Sequence, residues 1–330
     1  MTRWIAPAAG TVAALAAGTG FYLRYRRKCH RFPISVRAAI IEDVESDRWG
    51  TTLWVRFREA PFDAERLSLI FIPKGVRAKN KCVNIALHWH GHNAFVPTKV
   101  VQHDLRRQVA ESGRNVVLVM PQTAIMVRDS SAGRFEEEGQ FDRFVAEVLA
   151  TLHEEAPMRF GRHCGLGHLM VSTHSGGYRV TAKILEQRGD AVSEVILYDS
   201  LYANVDEYVE WVQREAASRP IRLINLHLGG SVEERTEDLH QGFERGGLAV
   251  DWVAARPEST SIPEWIQATH ELGYQDVEDV TIAAPSAFVG LPVRFPAVAS
   301  VDMRPTDQRH TWLPLGNFRT MLQTSGFPRA

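Results

Sequence analysis

From residue 35 onward the chain changes its hydrophobic period in a readable order. "SVRAAIIEDVE" and "TTLWVRFRE" flank the turn-like "SDRWG" and predict an antiparallel strand pair, and "RLSLIFIP" predicts a third extended run. Beyond it, apolar runs of strand length recur: "CVNIALHW", "NVVLVMP", "HLMVST", "EVILYD", "IRLINLHL" and "LAVDWVA". Each precedes a polar or amphipathic stretch, as in βα units around a buried parallel sheet, so the fold class is α/β. "FDRFVAEVLATLHEEA", residues 141–156, is the clearest amphipathic helix, with Phe141, Phe144, Val145, Val148, Leu149 and Leu152 on one face. From Pro257 to about Met303 the pattern is irregular, broken by Pro257, Pro263, Pro285, Pro292 and Pro296. This excursion between the last strand and a C-terminal helix reads as a possible lid.

The N-terminus follows another rule. Trp4 to Leu23 carries no charge, and ~20 apolar residues cross a bilayer as a helix. Arg24, Arg26, Arg27, Lys28 and Arg31 follow it directly, which places the body on the cytoplasmic side by the positive-inside bias. The alternative is a signal peptide, with the small residues around Ala14 to Gly18 as the processing site and an exported body. Residues 1–31 therefore read as a membrane anchor with its basic flank, and residues 32–330 as one catalytic domain.

Composition narrows the partners. The chain has 330 residues, 45% hydrophobic and 23% charged, enough for a large core. Its 38 basic and 39 acidic residues leave a net charge of -1, which gives no nucleic-acid surface. A small-molecule partner remains. Cys29, Cys82 and Cys164 form no Cys-x-x-Cys pair and read as isolated thiols.

The candidate chemistry begins at "LMVSTHSGGYRV". Ser175 falls between the strand "HLMVST" and the helix "YRVTAKILEQRG", where a nucleophile elbow would lie. Such a turn needs small residues two before and two after the serine. Gly177 meets the second demand, whereas Thr173 occupies the first in place of glycine. The amide of Gly176 can face an oxyanion. The competing reading is a serine that merely caps the helix.

A second stretch, "NIALHWHGHNAFV", runs from a strand into His90, Gly91, His92 and Asn93. Glycine at 91 lets the backbone approach a substrate, so the amides of Gly91 and His92 are oxyanion-hole candidates. The rival is a metal site: His88, His90 and His92 alternate and share one face while the chain stays extended.

For the acid, Asp199 ends the strand "EVILYD", at the edge where parallel sheets gather their active sites. Glu233 and Glu234, after the following strand, are the alternative, and Asp206 is a spare carboxylate nearby. For the base, His310 stands in a polar loop before the C-terminal helix, ahead of His270, which looks helical.

"HWHGHN", "THSGG", "LYDS" and "RHTWLP" together resemble the α/β-hydrolase superfamily over nearly all of residues 34–330. The resemblance implies an eight-stranded, mostly parallel sheet, with Ser175, Asp199 and His310 as triad and the amides of His92 and Gly176 as oxyanion donors. It implies a serine hydrolase acting on an ester or amide without a cofactor. Two alternatives stand beside it: a metal-dependent hydrolase using His88, His90 and His92, and a membrane-tethered binding protein of hydrolase fold that has lost its chemistry. Trp252, Trp265 and Phe288 hint at an apolar substrate pocket, or at core packing.

Overall fold

A computed structural model describes residues 29–32, 36–59, 66–123, 130–248, 251–254, 297–304 and 310–330. The sheet begins as a meander. β1 (Ile40–Ser46) and β2 (Gly50–Arg56) pair antiparallel around a turn in which the Asp47 carboxylate accepts the amides of Trp49 and Gly50, at 2.8 and 3.0 Å. Asp is suited to this role because its short side chain reaches backbone two residues on. β3 (Ser68–Pro73) pairs antiparallel with β2 and then with β5 (Val117–Met120).

The remaining strands run parallel. They are β4 (Cys82–Trp89), β5, β6 (Gly165–His174), β7 (Glu194–Tyr198), β8 (Arg222–His227), β9 (Asp251–Ala254) and β10 (Ala297–Asp302). The full order is β1-β2-β3-β5-β4-β6-β7-β8-β10-β9. Helices connect them: α1 (Val96–Gln102) and α2 (Leu105–Glu111) after β4, α3 (Gln140–Glu155) after β5, α4 (Tyr178–Arg188) after β6, α5 (Val205–Ala216) after β7, α6 (Ser231–Arg245) after β8, and α7 (Leu313–Gln323) after β10.

Alternation along the strands divides the core in two. Leu53, Ile70, Leu87, Val171, Leu197 and Leu223 pack under α3 to α6 on one face. Trp54, Leu69, Ala86, Met170, Ile196 and Ile224, their sequence neighbours, pack under α1, α2 and α7 on the other. Because side chains point to opposite faces at each step, a strand buried on both sides is mostly apolar, and the polar residues these strands carry are buried ones such as His168, Glu194 and Arg222.

Several sequence expectations need correction. Ten strands are present among the described residues rather than eight, since the meander contributes three antiparallel strands and β9 adds an edge beyond β10. β10 lies inside the stretch read as irregular from Pro257 to Met303; most of that stretch, including Trp265, His270 and Phe288, lies outside the described residues, as does the side chain of Trp252. The cysteines are not all isolated: Cys29 and Cys82 form a disulfide, and Cys164 is free. The two ends of that bond are separated by 53 residues, so no local spacing announces it. The apolar segment Trp4 to Leu23 lies outside the described residues, and among those described no helix is long and apolar enough to cross a membrane. From Cys29 the chain is already part of the domain. His30 exchanges backbone hydrogen bonds with Leu166 at the start of β6, at 2.8 and 2.9 Å.

At the amino ends of the central strands lies a buried ionic knot. Glu194 of β7 accepts from His168 of β6 at 2.5 Å, pairs with Arg222 of β8 at 2.6 Å, and accepts the Gly326 amide at 2.6 Å. Arg222 also donates to the carbonyl of Met321 and the hydroxyl of Thr324, both at 2.8 Å, so the knot fastens α7 to the sheet. Burial alone would raise the Glu194 pKa, but Arg222 and His168 outweigh it and hold the carboxyl at about 2, below its ordinary 4.5.

A depressed folded-state pKa adds stability that is present above the unfolded value and lost on acidification. The protein should therefore lose stability as pH falls from 4.5 toward 2. Glu194→Gln should lower denaturant stability near neutral pH by about 3–5 kcal/mol, because Arg222 is left buried without its anion. It should also flatten that acid limb; chemical denaturation across pH checks both, and an unchanged acid slope would remove Glu194 from this role.

Candidate active site

β6 ends at His174 and the chain turns at once. Ser175 takes φ 53°, in the left-handed region that β-carbon-bearing residues avoid. Ser175–Gly177 forms a single 3₁₀ turn before α4 begins at Tyr178. The turn is tight enough to dictate the residue at 177. A β-carbon on Gly177 would stand 2.0 Å from Thr173 Oγ1 and 2.9 Å from the β-carbon of Trp89. Thr173, the departure from the expected glycine, is tolerated because Gly177 leaves it that space. Its hydroxyl lies 3.1 Å from Ser200 Oγ, and Ser200 in turn donates to the Ser175 carbonyl at 2.6 Å. With the Ser200 proton so committed, the Thr173 hydroxyl is the donor between them. Ser200, the residue after Asp199, thereby belongs to the candidate site.

The loop after β4 lies over this turn. A β-carbon on Gly91 would come within 2.8 Å of the Ser175 β-carbon and 3.3 Å of its Oγ, so only glycine permits the approach. One on Gly176 would stand 3.4 Å from the amide nitrogen of His92 and 3.1 Å from Ser130 Oγ. The backbone of Gly91 and His92 thus adjoins Ser175 and Gly176.

His90 anchors that loop. Its Nδ1 donates to the Gly91 carbonyl at 2.8 Å, while Nε2 accepts from Gln122 Nε2 at 2.8 Å and from the Thr123 amide at 3.1 Å. Gln122 also takes the Val96 amide at 2.9 Å, tying α1 to β5. Burial lowers the His90 pKa to about 4 and the His88 pKa to about 3, so both rings are neutral at ordinary pH.

The three alternating histidines do not converge. The strand stops at Trp89, so the alternation of the extended chain ends before His90, and the chain turns at His92 and Asn93. His88 bonds Ser172 at 2.9 Å, His90 belongs to the Gln122 network, and His92 is exposed. Among the described residues, no group of three His, Cys, Asp or Glu side chains is placed to hold a metal ion.

The candidate acid and base do meet. Asp199, directly after β7, takes φ 46°, and its amide donates to the Leu226 carbonyl at 2.7 Å. Its Oδ1 accepts the Leu228 amide at 3.1 Å, which orients the carboxylate, and its Oδ2 accepts from His310 Nδ1 at 2.6 Å. His310 opens the short 3₁₀ turn that leads into α7. Its ring packs on that of His174, the residue before the serine, with centroids 4.5 Å apart. Glu233 is engaged elsewhere: it pairs with Arg304 at 2.7 Å, and Arg304 also grips Asp302. The structure therefore joins Asp199 to His310 and leaves Glu233 out.

No protein-family model matches the sequence, and no curated protein sequence matches it significantly. Solved structures that it resembles are esterases and serine hydrolases. One is an S-formylglutathione hydrolase from Agrobacterium tumefaciens, at 13% identity over 62% of this chain and 87% of that one, with a TM-score of 0.38. Another is FphF, a fluorophosphonate-binding serine hydrolase of Staphylococcus aureus, at 12% identity over 60% and 86%, with a TM-score of 0.40. A third is the feruloyl esterase module from Clostridium thermocellum, at 11% identity over 91% and 94%, with a TM-score of 0.45. At these values the likenesses carry no argument about chemistry, which rests on the geometry of the site itself.

The packing around the turn ranks two substitutions. Gly177→Ala should destabilise by about 1–3 kcal/mol, the usual cost of overpacking, because Thr173 and the β-carbon of Trp89 block the new methyl group. Gly176→Ala meets a movable Ser130 hydroxyl instead and should cost less. Thermal denaturation of the two variants checks the order, and equal midpoints would contradict it.

Proposed function

We propose that this chain is a serine hydrolase of the α/β-hydrolase superfamily that cleaves an ester or amide through an acyl-enzyme. The observation that carries the reading is the 2.6 Å bond between Asp199 and His310, at the sheet edge where Ser175 is held in a left-handed turn. A proton fixed on His310 Nδ1 by the carboxylate leaves Nε2 as the basic end of the ring. In the proposed reaction Nε2 takes the proton of Ser175 as the hydroxyl oxygen attacks the substrate carbonyl.

Negative charge then develops on the former carbonyl oxygen. The amides of His92 and Gly176 are the candidate donors to it, and Gly91 permits their approach; fixed dipoles of this kind stabilise an oxyanion without reorganising. His310 returns the proton to the leaving group. A water activated by the same nitrogen releases the acyl group and restores the serine. Asp199 keeps the tautomer throughout and stabilises the transient imidazolium. The reaction needs no cofactor, and the separation of His88, His90 and His92 gives no support to a metal-dependent alternative.

The disulfide bears on where this takes place. Disulfides persist in oxidising compartments and are rare in the cytosol. The Cys29–Cys82 bond therefore favours an exported domain over the cytoplasmic placement that the basic flank suggests.

A fluorophosphonate should label the wild-type protein at Ser175. Labelling should vanish in Ser175→Ala and fall sharply in His310→Ala, with chelators having no effect. A protein inert to the probe but able to bind ligand would be the inactive binding protein instead. Asp199→Asn should cut turnover by a factor on the order of 10⁴, as a wrong tautomer does in a well-studied triad, while Glu233→Gln should do little. The reverse ranking would move the acid to Glu233.

Thiol alkylation tests the compartment. Of the three cysteines, only Cys164 should react in protein isolated without reductant from its native host. Reaction of Cys29 and Cys82 under the same conditions would return the domain to a reducing compartment.

A further inference from the structure

The turn that carries His310 is held by two other histidines. His174, the last residue of β6, lies 2.8 Å through its Nε2 from the carbonyl oxygen of His310. His103, which caps the end of α1, lies 2.9 Å through its Nε2 from the carbonyl oxygen of Thr311. A carbonyl can only accept, so each Nε2 carries the proton and donates it. Consecutive carbonyls at the entrance of one helix are thus gripped by imidazoles from two different elements.

The sequence leaves the first of these carbonyls without its α-helical donor. In a helix the carbonyl of residue 310 would receive the amide of residue 314, but Pro314 has no amide hydrogen. Gln108 of α2 secures the same helix start, donating from Nε2 to the Pro314 carbonyl at 3.1 Å and accepting the Arg319 amide at 2.8 Å through Oε1.

The rings form a row. His174 lies against His310 with centroids 4.5 Å apart and the planes tilted by 35°, and His103 meets His174 edge-on at 5.6 Å. Both His103 and His174 are buried, and their Nδ1 atoms have no hydrogen-bond partner among the described residues. Burial holds both well below the ordinary histidine pKa, as does the neighbouring ring: His174 for His103, and His310 for His174. They stay neutral, which avoids a permanent cation against the ring that must itself accept a proton.

We propose that His174 and His103 are positioning residues that fix His310 relative to Ser175 by holding the backbone of its turn; this rests on the serine-hydrolase reading above. The geometry is direct on one side, because His174 is bonded covalently to Ser175 and by hydrogen bond to the carbonyl of His310. The separation of nucleophile and base is then set by one residue's backbone and ring. On the other side, His103 ties the same turn to the helix that follows the candidate oxyanion loop. One residue pair therefore links nucleophile, base and oxyanion loop without touching substrate.

The test compares donors of different kinds at the same positions. Phe at 174 or 103 keeps an aromatic ring and loses the donor, Met loses the donor with a flexible side chain, and Gln restores an N–H of similar reach. With a chromogenic ester that the wild type turns over, His174→Phe and His174→Met should lower kcat on the order of 10²-fold, the scale of a small misplacement of reacting groups. KM should change little, the rate of fluorophosphonate labelling at Ser175 should fall in parallel, and His174→Gln should recover most of both. His103 variants should follow the same order.

His88→Phe is the control for simple packing, since His88 belongs to the row but bonds Ser172 rather than the turn. The proposal is overturned if His88→Phe loses as much turnover as His174→Phe, or if Gln restores thermal stability but not kcat. Fast labelling in the Phe and Met variants overturns it while leaving the serine reading intact. A wild-type protein that does not react with the probe overturns the serine reading itself, and the proposal with it.

Discussion

Everything at the carboxyl edge depends on one steric constraint, the near-contact of β6 and α4 across Gly177. With no room for a β-carbon there, the chain must reverse within a single 3₁₀ turn, and Ser175 must accept a left-handed backbone. Such a conformation costs of order 1–3 kcal/mol and persists only when its surroundings determine it. Here they do: the Ser200 hydroxyl holds the Ser175 carbonyl, Thr173 holds Ser200, and the glycine at 91 allows the neighbouring loop to close over the serine. Removing the strain would require moving the strand, the helix and the loop together.

The same edge gathers the candidate acid for a topological reason. β6, β7 and β8 lie side by side and parallel, so the turns that follow them open in one direction. Asp199, one residue beyond β7, is then a neighbour of the serine turn, and β8 supplies the Leu226 carbonyl and Leu228 amide that fix its backbone and carboxylate. At the opposite edge, Glu194 uses the same adjacency to collect His168 and Arg222. One end of the sheet holds the Glu194 knot that fastens a helix, and the other holds the Asp199–His310 pair at the edge where the Ser175 turn lies.

Much of this was legible in the residues. The apolar runs marked the parallel strands because burial on both faces leaves them little alternative composition. Ser175, Asp199 and His310 stand out as candidates in the sequence because each lies where a strand or loop reaches the carboxyl edge. The errors have physical causes as well. The alternation of His88, His90 and His92 implies a shared face only while the strand lasts, and it ends at Trp89. β10 is short and preceded by Pro292 and Pro296, which masked it as irregular chain. The Cys29–Cys82 bond joins distant positions, and His103 and His174 act on backbone carbonyls, which leave no spacing in a sequence. Contacts made to main chain at long range are the class of interaction that a single sequence hides.

The 136-residue interval between His174 and the carbonyl it holds has a consequence for the chain while it is being made. At ribosomal rates of ~5–20 residues per second, the serine turn emerges on the order of ten seconds before the histidine that would activate it. On the serine-hydrolase reading proposed above, a nascent chain would present an ordinary alcohol, and reactivity would arrive only when the segment carrying His310 packs against the sheet. On that reading, premature acylation of an unfinished chain would be avoided by the order of synthesis.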